Sequence, residues 1–254
     1  MMAIPVGAPA WMDLAADDLP GRRDFYTALL GWRWTERPDY SVATKDAVPV
    51  AGLRPREHPE PEAWTLYLEC GGARESVQRI RDLGGKVLVA PTDTPADETF
   101  LVAEDPSGAP VGLWHAPPNG AFGRDHAGML CWAELHTPDG AAADPFYRDL
   151  LGYTQEQIGE PSGVFDYTVW YLDDLPALGR FETTGALSEQ SPGWQVYMQV
   201  NPDQDVDTTT SRAAQLGGSV RREPSDSPHG RTALLTDPAG TAFFVIDTSA
   251  RTGE

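Results

Sequence analysis

Asp24-Phe25-Tyr26-Thr27-Ala28-Leu29-Leu30-Gly31-Trp32 returns later in the same chain as Asp144-Pro145-Phe146-Tyr147-Arg148-Asp149-Leu150-Leu151-Gly152-Tyr153. Both stretches space their apolar residues three and four positions apart and stop at a glycine, the pattern of an amphipathic helix closed by a left-handed cap. Just upstream stand two short alternating runs, Ala10-Trp11-Met12-Asp13-Leu14 and Cys131-Trp132-Ala133-Glu134-Leu135. Downstream, Trp64 returns as Trp194, Leu83-Gly84-Gly85 as Leu216-Gly217-Gly218, and Asp105-Pro106-Ser107-Gly108 as Asp237-Pro238-Ala239-Gly240. Landmarks recurring in one order at nearly constant spacing mark a duplicated domain, separated by small insertions only.

Each half starts with a period-2 strand, then the helix, then strand-rich sequence broken by turns. At Trp64 and Trp194 the rhythm restarts with a strand, a helix (Ala73 to Leu83, Val206 to Leu216), a Gly-Gly turn and three more strands. The spacing predicts a βαβββ unit used four times, paired within each half into a curved mixed sheet that forms a cup. This is an α+β fold with domains at 1–118 and 127–254. The stretch from Ala116-Pro117-Pro118-Asn119-Gly120 to Asp125 holds the linker, 119–126, and Ser249 to Glu254 reads as a frayed tail.

The 254 residues suffice for two domains, and 41% hydrophobic with 22% charged is a globular composition. No apolar run approaches a membrane span, and the N-terminus lacks a signal-peptide pattern, so a cytoplasmic protein is expected. A formal net charge of −19 argues against nucleic acid or an anionic membrane as partner, because both require a basic face. The two cysteines, Cys70 and Cys131, occupy unrelated places in the repeat and read as reduced thiols. No nucleophile elbow, phosphate loop or dinucleotide fingerprint is present, and Gly84-Gly85 and Gly217-Gly218 read as helix exits.

A βαβββ unit whose helix ends Phe-Tyr-x-x-Leu-Leu-Gly and whose late strand opens Asp-Pro-x-Gly resembles the vicinal-oxygen-chelate superfamily. That superfamily includes glyoxalases, extradiol dioxygenases, fosfomycin-resistance enzymes and bleomycin-binding proteins. Over Pro9 to Ile246 the chain looks most like the tandem-domain, glyoxalase-like actinobacterial proteins often labelled hydroxylases. The resemblance implies two glyoxalase-like domains and, in the family's enzymes, a divalent metal at the floor of the cup. It places the ligand positions at Trp11 and Trp132 on the first strand, at Trp64 and Trp194 on the strand opening the second unit, and at Gly112 and Phe244 after Asp-Pro-x-Gly. A further carboxylate is implied near Gly52 to Arg54, where there is none, or near Gly179 to Glu182, where only Glu182 qualifies. None of the six principal side chains suits a hard divalent cation, so neither a metal nor another cofactor is expected.

The candidate site residues follow from what stands there instead. Trp11, Trp64, Trp114, Trp132, Trp194 and Phe244, with Tyr167 and Trp170 as a wall in the second half, offer flat apolar faces for an aromatic ligand; closed-core packing is the competing reading. Asp13 and Glu134 fall two residues after their tryptophans, on the same strand face. Each is a structural carboxylate or an anchor and base for a ligand, and His136, whose counterpart is Ala15, adds an acid/base partner in the second half alone. His58, His115, His126 and His229 lie in loop or strand-end contexts, with His229-Gly230-Arg231 as a candidate lid.

Two functions stay open. One is a metal-free protein binding an aromatic or hydrophobic small molecule in secondary-metabolite biosynthesis, sequestration or resistance, as a monomer or homodimer. The other is a lyase, hydroxylase, dioxygenase or cyclase using Asp13 or Glu134 as base, or a metal site of another kind.

Overall fold

The computed structural model describes residues 3–37, 39–57, 60–116, 121–161, 163, 165–184, 192–201 and 204–250. His58, residues 117–120 with the first two positions of the 119–126 linker, and the tail from 251 lie outside these residues.

The βαβββ unit appears four times. The first is β1 (Pro9–Ala16), α1 (Leu19–Leu30), β2 (Arg33–Thr35), β3 (Ser41–Lys45) and β4 (Val48–Pro55). The second is β5 (Trp64–Glu69), α2 (Ala73–Asp82), β6 (Lys86–Asp93), β7 (Thr99–Glu104) and β8 (Pro110–His115). The third is β9 (Leu130–Thr137), α3 (Gly140–Leu151), β10 (Thr154–Gly159), β11 (Asp166–Leu172) and β12 (Leu175–Glu182). The fourth is β13 (Gly193–Gln199), α4 (Val206–Gln215), β14 (Ser219–Ser227), β15 (Gly230–Thr236) and β16 (Ala242–Asp247).

Local chemistry sets the helix limits. Asp18, Asp139 and Asp205 each accept a backbone N–H of the first turn from a side-chain oxygen, satisfying donors that have no partner within the helix. Gly31 and Gly152 end α1 and α3 at φ 76° and 81°, a left-handed conformation that disfavours residues with a Cβ.

Each half supplies one eight-stranded mixed sheet, in the orders β2-β3-β4-β1-β5-β8-β7-β6 and β10-β11-β12-β9-β13-β16-β15-β14. The pairs β1/β4, β5/β8, β9/β12 and β13/β16 are parallel, while the outer hairpins are antiparallel. The expected α+β class is therefore observed.

Compactness follows a different division. One body comprises Met1–Trp11, Thr65–Gly120 and Ala133–Trp194; the other comprises Met12–Trp64, Ala121–Trp132 and Gln195–Glu254. Each body takes residues from both halves of the duplication, tied by one repeated contact. In the second body Tyr26 of α1 donates to Asp237 at 3.1 Å, and in the first body Tyr147 of α3 donates to Asp105 at 2.9 Å. Both aspartates open Asp-Pro-x-Gly turns, and each also accepts backbone N–H groups of its own turn. Burial and the adjacent carboxylate push both phenols well above their ordinary value, so they stay protonated and donate.

Candidate functional site

Strand alternation sorts the tryptophans. Trp64 meets Tyr26 of α1 at 5.5 Å and Trp32 at 6.2 Å, edge to face, so it lies on the helix-facing side of β5. Trp194 meets Tyr147 of α3 at 5.5 Å and Trp170 at 6.0 Å. Trp170 is fully buried and also packs on Tyr147 and Tyr153. These three expected ligand-stacking residues are core instead. Trp64 and Tyr67 stand three positions apart, an odd step that points them to opposite faces, and it is Tyr67 that pairs in register with Gly112. Tyr197 pairs likewise with Phe244.

On the other face the two copies differ. In the first body Trp11 stacks on Trp114 at 6.0 Å, and Tyr67 and Phe100 close around Trp114 at 5.4 and 5.9 Å. Trp11, Tyr67 and Trp114 are all buried, and a Cβ at Gly112 would overlap the Tyr67 ring, which occupies the space of a side chain there. In the second body Tyr197 lies parallel to Phe244, 4.2 Å between centroids, with Trp132 packed against them and still partly exposed. The guanidinium of Arg222 sits 5.4 Å above the Phe244 ring.

The carboxylates repeat a three-residue arrangement. Asp13 pairs in register with Gly52, and Glu134 with Gly179. Tyr40 donates to Asp13 at 3.5 Å and Tyr167 to Glu134 at 2.8 Å. A Cβ on Gly52 or Gly179 would collide with the tyrosine hydroxyl, so glycine is what lets each phenol reach its carboxylate.

The next register pair separates them. In the first copy it is Ala15 opposite Arg54, whose Nε lies 3.6 Å from Asp13 and whose other nitrogens hold Glu60. In the second copy it is His136 opposite Phe181. His136 Nε2 is 3.3 Å from Glu134 Oε2, and its ring lies 5.4 Å from that of Phe181. Phe165, 52% exposed, lies parallel to Tyr167 at 6.1 Å and near Phe181 at 6.2 Å. Glu134 is thus partly buried at the base of an open aromatic shelf, whereas Asp13 is 3% exposed beside an arginine.

The remaining candidates have structural roles. His115 joins Glu69 at 3.0 Å. The His229-Gly230-Arg231 turn closes the β14/β15 hairpin, with Arg231 bridging Asp207 and Asp226 at the surface. Tyr171 donates to Glu156 at the surface. His126 borders a polar cleft of about 570 Å³ shared with Asp125, Gln199, Asp205 and Asp247. Burial pushes the Cys70 thiol up to about 11, which leaves it a poor nucleophile at neutral pH.

The positions that the resemblance assigns to a metal carry Trp11, Gly112, Trp132 and Phe244, with Tyr67 and Tyr197 in place of Trp64 and Trp194. Glu182, the one carboxylate implied nearby, accepts the Gly140 N–H at 3.0 Å and lies 3.9 Å from Arg180. Among the described residues no three His, Cys, Asp or Glu side chains converge. This donor set does not fit a hard divalent cation.

Residues 8–113 match the model of the glyoxalase/bleomycin resistance protein/dioxygenase superfamily, and residues 132–246 match that of the glyoxalase-like domain. The chain belongs to this superfamily. It is 37% identical over 264 residues to the anthracycline biosynthesis protein DauV of Streptomyces sp. (strain C5), across 95% of this chain and 93% of DauV. It is 33% identical to the putative glyoxylase CFP32 of Mycobacterium tuberculosis, across 94% of each chain. Among solved structures, an Mn(II)-bound glyoxalase from Novosphingobium aromaticivorans superimposes with a TM-score of 0.66 at 16% identity, over 98% of this chain and 87% of that one. An extradiol ring-cleaving dioxygenase from B. fuscum gives 0.68 at 15%, over 100% and 75%. At these identities the structural likeness speaks for the fold alone.

Sequence reasoning placed Asp13, Glu134 and His136 together with their strand neighbours but missed Tyr40, Gly52, Tyr67, Arg54, Phe181 and Arg222. Part of that set was visible in the sequence, since Tyr40 and Gly52 return as Tyr167 and Gly179 with the same separation.

Proposed function

We propose that this superfamily member binds an aromatic or otherwise hydrophobic small molecule in a secondary-metabolite pathway of the kind named for its DauV-like relatives, without a metal. The observation that carries the proposal is the shelf of Phe165, Tyr167, Phe181 and His136 around Glu134. Exposed aromatic surface beside a hydrogen-bonded carboxylate offers both a stacking face and an acceptor for a ligand hydroxyl or amine. The first copy supports the assignment by contrast, because Arg54 occupies the place of Phe181 there and neutralises Asp13.

A second reading rests on the 3.3 Å separation of His136 and Glu134. A carboxylate beside an imidazole can take a proton from a bound ligand and pass it on, so the same site can serve as a general base.

Calorimetric titration with 2-naphthol and with 2-methoxynaphthalene tests the proposal. The hydroxyl compound should bind more tightly to the wild type, and Glu134→Gln should remove about tenfold of that affinity while leaving the methoxy compound unchanged. If neither compound binds, the ligand proposal fails. Binding intact in Glu134→Gln with turnover of a pathway intermediate lost would instead select the base reading.

A further inference from the structure

From the register of the outer strands we infer that Arg222, set over the Phe244 ring against whose cluster Trp132 also packs, is the anchor for the anionic group of an aromatic ligand, a carboxylate or an acidic phenol. The inference rests on the aromatic-ligand reading above for the kind of ligand, and concerns residues of the body that holds 121–132 and 195–254.

The observation is a cation without an anion. Among the described residues the guanidinium of Arg222 forms no ion pair or hydrogen bond, and its contact is the Phe244 ring. Arg22, Arg54, Arg56, Arg180 and Arg231 pair with carboxylates, whereas the exposed Arg222 is held by a ring. A guanidinium held over a ring keeps its N–H donors at the edge, available to a planar acceptor, and has less freedom left to lose on binding.

The duplication supplies an internal control. Arg222 pairs with Leu234 across a bulge in β14/β15, and the equivalent bulge in β6/β7 pairs Val89 with Val102. Val89 is an exposed apolar residue, so the sheet forms this edge without a cation. The surroundings change in step: Gly112 of the first copy is Phe244 in the second, and the buried Trp11 becomes the partly exposed Trp132. A bulge of this kind redirects one side chain relative to its neighbours, here placing the charge above the Tyr197 and Phe244 stack. A flat ligand lying against the open part of Trp132 meets a positive group at its edge, and a carboxylate there is met by two parallel N–H donors.

Naphthalene-2-carboxylate and naphthalene-2-carboxamide, matched in shape and differing in charge, test this by calorimetric titration of the full chain. The wild type should prefer the carboxylate about tenfold, the size expected of a charge-assisted contact. Raising the salt from 0.1 to 1 M should reduce that preference, since screening acts on the charge alone. Arg222→Gln should abolish the preference while leaving amide affinity and thermal midpoint unchanged, and Arg222→Lys should retain part of it. Equal affinity for both compounds in the wild type, or equal weakening of both in Arg222→Gln, overturns the assignment of Arg222 but leaves the aromatic-ligand reading standing. Absence of binding for both naphthalene probes overturns the two together.

Discussion

Asp13 and Glu134 occupy one strand position in two copies of the same unit, each opposite a glycine and each under a tyrosine hydroxyl. Around Asp13 the structure is closed: the residue is 3% exposed and Arg54 lies alongside. Around Glu134 an arginine has become Phe181 and an alanine His136, and Phe165, Phe181 and His136 stay partly open while Tyr167 is buried. The backbone frame is thus indifferent to whether the carboxylate is satisfied internally. One copy closes around its carboxylate while the other leaves polar and aromatic groups open, as the proposed ligand site requires.

That division of labour can be broken experimentally. The largest effect should come from Trp194→Ala, which empties the contact between β13 and the helix tyrosine Tyr147 and should cost roughly 3 to 5 kcal/mol in urea denaturation. Trp132→Ala, at a partly exposed position, should cost about 1 to 2 kcal/mol by area lost. If Trp132→Ala proved as damaging as Trp194→Ala, the open face of the second copy would be core. Next is the tyrosine–aspartate contact. Asp237→Ala leaves the buried Arg22 with Glu62 alone, and should cost about 3 kcal/mol, the low end for breaking a buried ion pair. Asp105→Ala strands only the Tyr147 hydroxyl and turn N–H groups, for about 1 to 2 kcal/mol. Equal losses would mean that Arg22 does not distinguish the two turns.

The smallest effect is a pH dependence. Burial holds the Asp105 carboxyl above its ordinary value of 3.8, despite the hydrogen bonds that pull it down. An acid whose folded pKa is raised binds its proton more readily when folded, so its contribution to stability is fully present below 3.8 and is lost as pH rises through the folded value. The slope in that window is at most about 1.4 kcal/mol per pH unit. Stability of Asp105→Asn measured against the wild type from pH 3 to 7 should lack this fall, and parallel curves would remove burial as the cause.

The fold was legible because its signals are local and repeated: helix periodicity, capping glycines and Asp-Pro-x-Gly turns recur in order, and four βαβββ units follow from them. Faces were harder. Matching one landmark puts Trp64 and Trp194 on the ligand side, whereas the register pairs Tyr67 with Gly112 and Tyr197 with Phe244, three positions on, leave both tryptophans against the helices. Glu134 and His136 are legible as a pair because they share one face of β9, and Asp13 is legible as the repeat counterpart of Glu134 on β1. Their partners Arg54 and Phe181 lie on β4 and β12, which register brings alongside and sequence proximity does not. Arg222 was hidden by the β14 bulge, where one irregular step decides which side chain faces the rings.

The Tyr26 to Asp237 hydrogen bond spans 211 positions, and the body it belongs to unites residues 12–64 with 195–254. During translation at about 5 to 20 residues per second, the first of these segments therefore waits on the order of ten seconds or more for the last. Through that interval Phe25, Tyr26, Trp32 and Trp64 lack the surface contributed by Phe243 and its neighbours. The body made of 65–120 and 133–194 has all its parts earlier. Of the two bodies, the one that holds 12–64 is thus completed later, and that segment stays uncovered until residues 195–247 have been made.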